Sequence, residues 1–214
     1  MMGSVIVIEG GIGVGKTTLG SSLMKRLNEH YGQRTEFCPE PFNQKLLELF
    51  LSNQSEYAFS FQLYMLSRRQ DIYNTVKEKK YRGITSIVDR GMVGDSVFAN
   101  LQHNQGNINE KEYDIYTQEY NKYGPYIPDI VIYLELTPEK CMERISSRGR
   151  KGESAYSIDY IREIQNIYKK EMDRVYTSNT RVITLDWSEN IQLVNGYLPD
   201  TFCDNILKKI GLIN

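Results

Sequence analysis

Apolar positions along the 214-residue chain fall into two kinds of run. Five runs are short and rich in β-branched residues: "SVIVIE" (4–9), "RTEFC" (34–38), "ITSIVD" (84–89), "DIVIYLEL" (129–136) and "RVITLD" (181–186). Val5-Ile6-Val7-Ile8 in the first run reads as a strand buried on both faces, and the other four runs read as strand-like. Between them, apolar residues recur three and four positions apart. That spacing predicts helices over about 17–30, 43–80 with a break near Asn53, 92–104, 109–123, 138–148, 157–177 and 201–210. Strands alternating with helices predict an α/β fold, a five-stranded parallel sheet flanked by helices, with ligands at the strands' carboxyl ends. The 45-residue gap between the second and third strands exceeds a simple crossover and predicts a helical insertion. Within it, "EYAFSFQLYMLSRRQDIY" (56–73) carries apolar residues on nearly every face at first, so a largely buried helix is expected. "NQGNIN" (104–109) reads as a loop between helices, and no repeat or linker divides residues 1–214 into more than one domain.

The stretch "VIVIEGGIGVGKTTLG" (5–20) interrupts this pattern with glycines. Gly10, Gly15, Lys16 and Thr17 fit G-x-x-x-x-G-K-[ST], the phosphate-binding loop, over residues 10–17. A buried strand precedes the loop, and Leu19, Leu23 and Leu27 follow at helical spacing. Backbone N–H groups from Gly10, Gly11, Ile12, Gly13, Val14, Gly15, Lys16, Thr17 and Thr18 would then surround a polyphosphate at a helix N-terminus. Lys16 would reach the outer phosphates, and the Thr17 hydroxyl would hold Mg²⁺. A merely flexible glycine-rich turn accounts for neither the Lys-Thr pair nor its strand–loop–helix setting.

Composition narrows the rest. Hydrophobics at 40% suffice for a full core, while a net charge of -1 and a pI near 6.2 provide no basic field for nucleic acid. Cys38, Cys141 and Cys203 are odd in number and widely spaced, which predicts reduced thiols and a cytoplasmic location. Only His30 and His103 are histidines, so a metal held by side chains alone is not expected. No apolar run approaches the ~20 residues of a membrane span, and no signal or transit peptide is expected before the first strand.

Three further clusters bear on chemistry. In "PEP", Pro39 and Pro41 restrict the backbone around Glu40, which holds a carboxylate at the end of the second strand. It could be a base toward an attacking hydroxyl or a turn glutamate. The third strand ends in Asp89-Arg90. Asp89 could hold Mg²⁺ through water and Arg90 could offset charge on a transferred phosphoryl group, although such a pair is often a surface ion pair. In "CMERISSRGRKGES", Arg144 and Arg148 share a helical face and Arg150 follows Gly149. A phosphate clamp on a mobile lid explains three arginines; a solvated helix end explains one.

With "EGGIGVGKTT", "PEP", "FSFQLYMLSRR", "DRGMVGDSVFA" and "RISSRGRKGES" in that order, the sequence resembles the deoxynucleoside kinase family along essentially its whole length. The resemblance implies a P-loop kinase fold with an Arg-rich lid over about 144–154. It also implies ATP and Mg²⁺ as cofactors, a small-molecule deoxynucleoside as substrate, and a homodimer. By that resemblance Glu40 is the base acting on the 5′-hydroxyl, Gln62 bonds the base edge, and Arg69 and Asp95 are its neighbours in the base pocket. Asp89-Arg90 stands where the family usually has Glu-Arg. Glu153 matches the carboxylate that binds the sugar 3′-hydroxyl, and Arg144, Arg148 and Arg150 match the lid arginines. Counted without gaps from Gln62, the tyrosine that usually shares the 3′-hydroxyl falls at Leu51. Gln62 and Arg69 lie two helical turns apart, on one side of a pocket, and Phe61 and Tyr64 could wall in a base.

Two other classes share parts of this pattern. A monophosphate kinase of thymidylate-kinase type has the loop, the lid and the Asp-Arg strand end. Its acceptor, however, is an anion, which a fixed Glu40 would repel. A guanine-reading switch protein carries Asn-Lys-x-Asp, and the nearest run here, Asn121-Lys122-Tyr123-Gly124, lacks the Asp. An ATP-dependent kinase making a deoxynucleoside 5′-monophosphate fits best. If Arg69 keeps Asp95 ionised against the base, an exocyclic amino group is welcome and a thymine carbonyl is not. Purine deoxynucleosides or deoxycytidine are therefore expected to outperform thymidine.

Overall fold

The structure, a computed structural model, describes residues 2–41, 43–122, 128–175, 180–188 and 191–213. Predicted helix ends at 123 and at 176–177, and the last two residues of the 121–124 run, fall outside these. The five predicted strands are β1 (Val5–Glu9), β2 (Thr35–Cys38), β3 (Thr85–Asp89), β4 (Ile130–Glu135) and β5 (Arg181–Asp186). They form one parallel sheet in the order β2-β3-β1-β4-β5. β1 lies at its centre, and Val5, Ile6, Val7 and Ile8 are fully buried. Each such side chain contributes about 1.5–3 kcal/mol on burial, which anchors the loop that follows.

Helices α1 (Lys16–Glu29), α2 (Gln44–Ser52), α3 (Gln54–Tyr81), α4 (Met92–Asn104), α5 (Glu110–Lys122), α6 (Pro138–Arg148), α7 (Ile158–Val175) and α8 (Asp200–Lys209) occupy the predicted intervals. The insertion is α2 plus α3, broken at Asn53 as its extended backbone requires. Local chemistry sets the other ends. Asn109 and Glu112 bond each other's backbone N–H at the start of α5, a reciprocal cap. Thr137 caps α6, Pro138 fills its first turn, and Gly149 ends it in the left-handed conformation.

The expectation for α3 needs correction. It buries one stripe (Ala58, Gln62, Met65, Leu66, Arg69, Tyr73, Val76), while Phe59, Leu63 and Ile72 are half-buried at the margin of the core. The helix packs against α2, β1, β3, α4 and α5, and Glu56, Ser60, Ser67, Arg68 and Asp71 on its remaining surface are exposed. Among the described residues no helix is long and apolar enough to cross a membrane.

Candidate active site

The phosphate-binding loop leaves β1 at the sheet's centre and ends at Gly15, whose φ of 98° caps α1. Gly13, at φ 78°, brings the loop against α6; a Cβ there would sit 2.7 Å from the Cys141 carbonyl oxygen. Lys16 is buried and its Nζ donates to the Gly11 carbonyl at 2.8 Å. Burial and the nearby Arg90 push its ammonium down to about 8, against the pull of Asp89, Glu40 and Glu9.

A cavity of about 930 Å³ opens beside this loop. Gly13, Gly15, Lys16, Thr17 and Thr18 line one end, with Arg144, Arg148 and Arg150 alongside. Leu47, Phe50, Phe61, Gln62, Met65, Arg69 and Phe98 line the other, and Glu40, Asp89, Arg90 and Glu153 lie along its lining as well. That volume is large enough for two ligands side by side or end to end.

Glu40 anchors a polar centre in this lining. Its Oε1 accepts from Arg69 Nη2 at 2.9 Å and from Arg90 Nε at 2.8 Å. Burial opposes its ionisation, but Arg90, Arg69 and Lys16 outweigh burial and hold its carboxyl below the usual carboxylate range. Arg90 adopts φ 69°, a left-handed conformation that costs a non-glycine residue about 1–2 kcal/mol. The strain turns its guanidinium back toward β1, where Nη1 donates to the Gly10 carbonyl and the Tyr168 hydroxyl, and the group lies over the Phe98 ring.

The Thr17 hydroxyl donates to Asp89 Oδ2 at 2.5 Å, while Asp89 Oδ1 is buried with no partner among the described residues. An unpaired buried carboxylate oxygen beside a hydroxyl is a fit for a hard divalent cation completed by water and phosphate oxygens, as Mg²⁺ prefers. Among the described residues no group of three or more His, Cys, Asp or Glu side chains could hold a metal ion.

Several predicted residues sit elsewhere than expected. Asp95 does not line the cavity. It is buried behind Arg69, accepting from Arg69 Nε on one oxygen and from the Tyr116 hydroxyl on the other, each at 2.7 Å. In this position it holds the Arg69 guanidinium. Leu51 also lies outside the lining and packs beneath Gly152, because α2 turns Leu47 and Phe50 inward instead. Arg144 lines the cavity but spends Nη1 on the Val14 carbonyl at 3.0 Å, bracing the loop. Arg148 pairs with the buried Glu153 at 2.7 Å, and Arg150 lies 3.6 Å from the same carboxylate. The lid arginines and the predicted sugar-binding carboxylate thus engage one another. Arg69 lines the cavity, whereas Arg68 is half-exposed and pairs with Asp71.

Sequence reasoning missed Glu9, Phe98, Tyr156, Tyr160, Tyr168 and Trp187. Tyr156, Tyr160, Phe98 and Trp187 line the cavity, whereas Glu9 and Tyr168 are buried behind it. Only Glu9 left a signal, as the one charged residue ending a strand otherwise wholly apolar.

The family model for deoxynucleoside kinases matches residues 6–198. A deoxyadenosine kinase of Dictyostelium discoideum is 30% identical over 189 residues, covering 87% of this chain and 74% of the relative. A deoxyadenosine/deoxycytidine kinase of Bacillus subtilis is 32% identical, covering 78% and 75%. The solved structure of deoxyadenosine kinase from M. mycoides with bound dATP superposes with a TM-score of 0.78 at 23% identity, covering 97% of this chain and 98% of that one. A loop for phosphates, a carboxylate set between two arginines and a match along nearly the whole chain agree: this chain belongs to the deoxynucleoside kinase family and is an enzyme of that kind.

Proposed function

We propose that the protein transfers the γ-phosphoryl group of ATP to the 5′-hydroxyl of a deoxynucleoside, giving the 5′-monophosphate and ADP. The observation that carries this reading is Glu40, an ionised carboxylate held by Arg69 and Arg90 in the same cavity as Lys16. The loop N–H groups and Lys16 hold the β- and γ-phosphates. Thr17 and Asp89 would hold Mg²⁺, which would offset phosphate charge when bound. Glu40 accepts the 5′-hydroxyl proton as that oxygen bonds to phosphorus, and the bond from phosphorus to the bridging oxygen of ADP breaks. Its low basicity suits a proton that becomes acidic only as the new bond forms. Arg90 faces the charge on the transferred group. On lid closure, Arg148 and Arg150 exchange Glu153 for phosphoryl oxygens, which releases Glu153 to the sugar 3′-hydroxyl.

We propose further that Gln62 and Arg69 read the base, and that deoxyadenosine, deoxyguanosine or deoxycytidine outperforms thymidine, with deoxyadenosine favoured. Relatives are named for the first three. Asp95 supports this by fixing Arg69 rather than by touching the base. The enzyme is expected to act as a cytoplasmic homodimer; Cys38, Cys141 and Cys203 are unpaired thiols. The test is kcat/KM for the four deoxynucleosides with ATP, beside thermal shifts for nucleosides and their monophosphates. A win for thymidine would overturn the base reading alone. Stabilisation and turnover by monophosphates only would overturn the acceptor.

A further inference from the structure

Behind the cavity, Arg90 leads into a buried row of polar groups, Tyr168 and Glu9, that serve no step described so far. Arg90 Nη1 donates to the Tyr168 hydroxyl at 2.6 Å, and that hydroxyl donates to Glu9 Oε2 at 3.1 Å. Glu9 Oε1 accepts from the backbone N–H of Gly91 and of Gly94, at 2.9 and 3.2 Å. Among the described residues three donors thus converge on one carboxyl group at the end of β1, which burial pushes above the usual carboxylate range. The residues come from β1, the β3–α4 turn and α7, elements far apart in sequence.

The packing shows how closely the row is built. A Cβ at Gly94 would lie 2.3 Å from Arg90 Cγ and 2.6 Å from the Tyr168 hydroxyl. One at Gly91 would lie 2.7 Å from Glu9 Oε1. Both glycines of "RGMVG" are therefore places where side chains of this row pass the backbone. Tyr168 and Glu9 are fully buried, so neither can touch a ligand.

We propose that Glu9 and Tyr168 are positioning residues that hold the Arg90 guanidinium in its strained, phosphate-facing orientation. The geometry gives the reason. Arg90 is attached by a left-handed backbone residue, and its Nε is committed to Glu40 at the opposite edge. Without the hydroxyl, Nη1 keeps only the longer bond to the Gly10 carbonyl at 3.1 Å. The guanidinium can then swing about its Glu40 contact, and a misplacement near 1 Å is worth about a hundredfold in rate. The polarised sequence from arginine through tyrosine to glutamate also orients each hydrogen toward the next acceptor.

This inference rests on the reading of Arg90 as a group serving phosphoryl transfer, so the experiment separates the two. Tyr168→Phe, Arg90→Lys and the double variant are assayed for kcat and nucleoside KM, with Tm recorded for each. Tyr168→Phe is expected to lower kcat about ten- to a hundredfold with KM within about twofold. In the Arg90→Lys background, removing the hydroxyl should change kcat less than about twofold, because the group it positions is gone. Glu9→Gln, which leaves an amide oxygen for the glycine N–H groups, should reproduce the kcat loss and serves if Tyr168→Phe does not fold. Wild-type kcat in either single variant overturns the proposal, as does an undiminished effect in the Arg90→Lys background. Full activity in Arg90→Lys itself would overturn the role of Arg90.

Discussion

Replacing Glu40 by Gln removes one charge and keeps the shape. In the native protein a single oxygen, Oε1, binds both Arg69 and Arg90 at under 3 Å, and the side chain is 29% exposed. The amide oxygen of Gln can still accept from both guanidiniums, so their bonds weaken from charge-assisted to ordinary ones. Losing the assistance at two bonds, discounted for partial exposure, comes to about 1–2 kcal/mol. For a chain of this size that lowers Tm by about 2–8 °C, and the fold survives. Catalysis is hit harder, because an amide cannot take the hydroxyl proton and kcat should fall about 10²-fold or more. The assay is ADP release with deoxyadenosine and ATP at pH 7, with nucleoside affinity measured separately by calorimetry. The acid limb adds a second constraint. A carboxyl held below its usual range stays ionised until the pH falls through that lowered value, so Glu40 itself causes no loss of kcat/KM between pH 7 and 5. A Gln variant within about threefold of wild-type kcat would refute the base assignment.

Three further outcomes follow from the same geometry. Lys16 is charged below about pH 8 and neutral above it in the nucleotide-free protein, whereas bound phosphates favour the charged form. ATP binding near pH 8 should therefore take up protons, seen as a dependence of calorimetric heat on buffer; Lys16→Met should abolish it, and proton-neutral binding in the wild type would contradict the assignment. Arg148→Ala should lower kcat about 10²-fold while leaving nucleoside Kd within about threefold, since phosphoryl contacts count only with the lid closed. Equal kcat would make Arg148 a mere partner of Glu153. Leu47→Ala should raise nucleoside KM about tenfold whereas Leu51→Ala leaves it within about twofold, the reverse being the result against the observed α2 orientation.

Backbone features were legible wherever one local rule governed them. Strands β1, β3 and β4 announced themselves as apolar runs because both their faces are covered, and Asn53 marked the break in the insertion. The loop of residues 10–17 was legible for the same reason: glycine spacing and the Lys-Thr pair are local chemistry. Arg69 was set apart from Arg68 only by gapless counting along the family resemblance, and its cavity-facing position comes from the burial of one stripe of α3. Contacts across the fold were not legible. The family resemblance that put Asp95 near the base could not reveal Tyr116, 21 residues on, which takes the carboxylate's other oxygen. Gapless counting to Leu51 crosses Asn53, the break between α2 and α3, so it could not show which side chains of α2 face the cavity. Glu9 and Tyr168 are 159 residues apart, and their meeting depends on α7 crossing behind β1.

The central claim is that a neutral hydroxyl, activated by Glu40, receives the phosphoryl group. The most direct measurement is product identification by phosphorus NMR and chromatography after incubation with ATP, Mg²⁺ and either deoxyadenosine or its 5′-monophosphate. The account predicts deoxyadenosine 5′-monophosphate and an equal amount of ADP from the nucleoside, with no phosphoryl transfer to the monophosphate. Conversion of the monophosphate to a diphosphate, with the nucleoside left untouched, would contradict it.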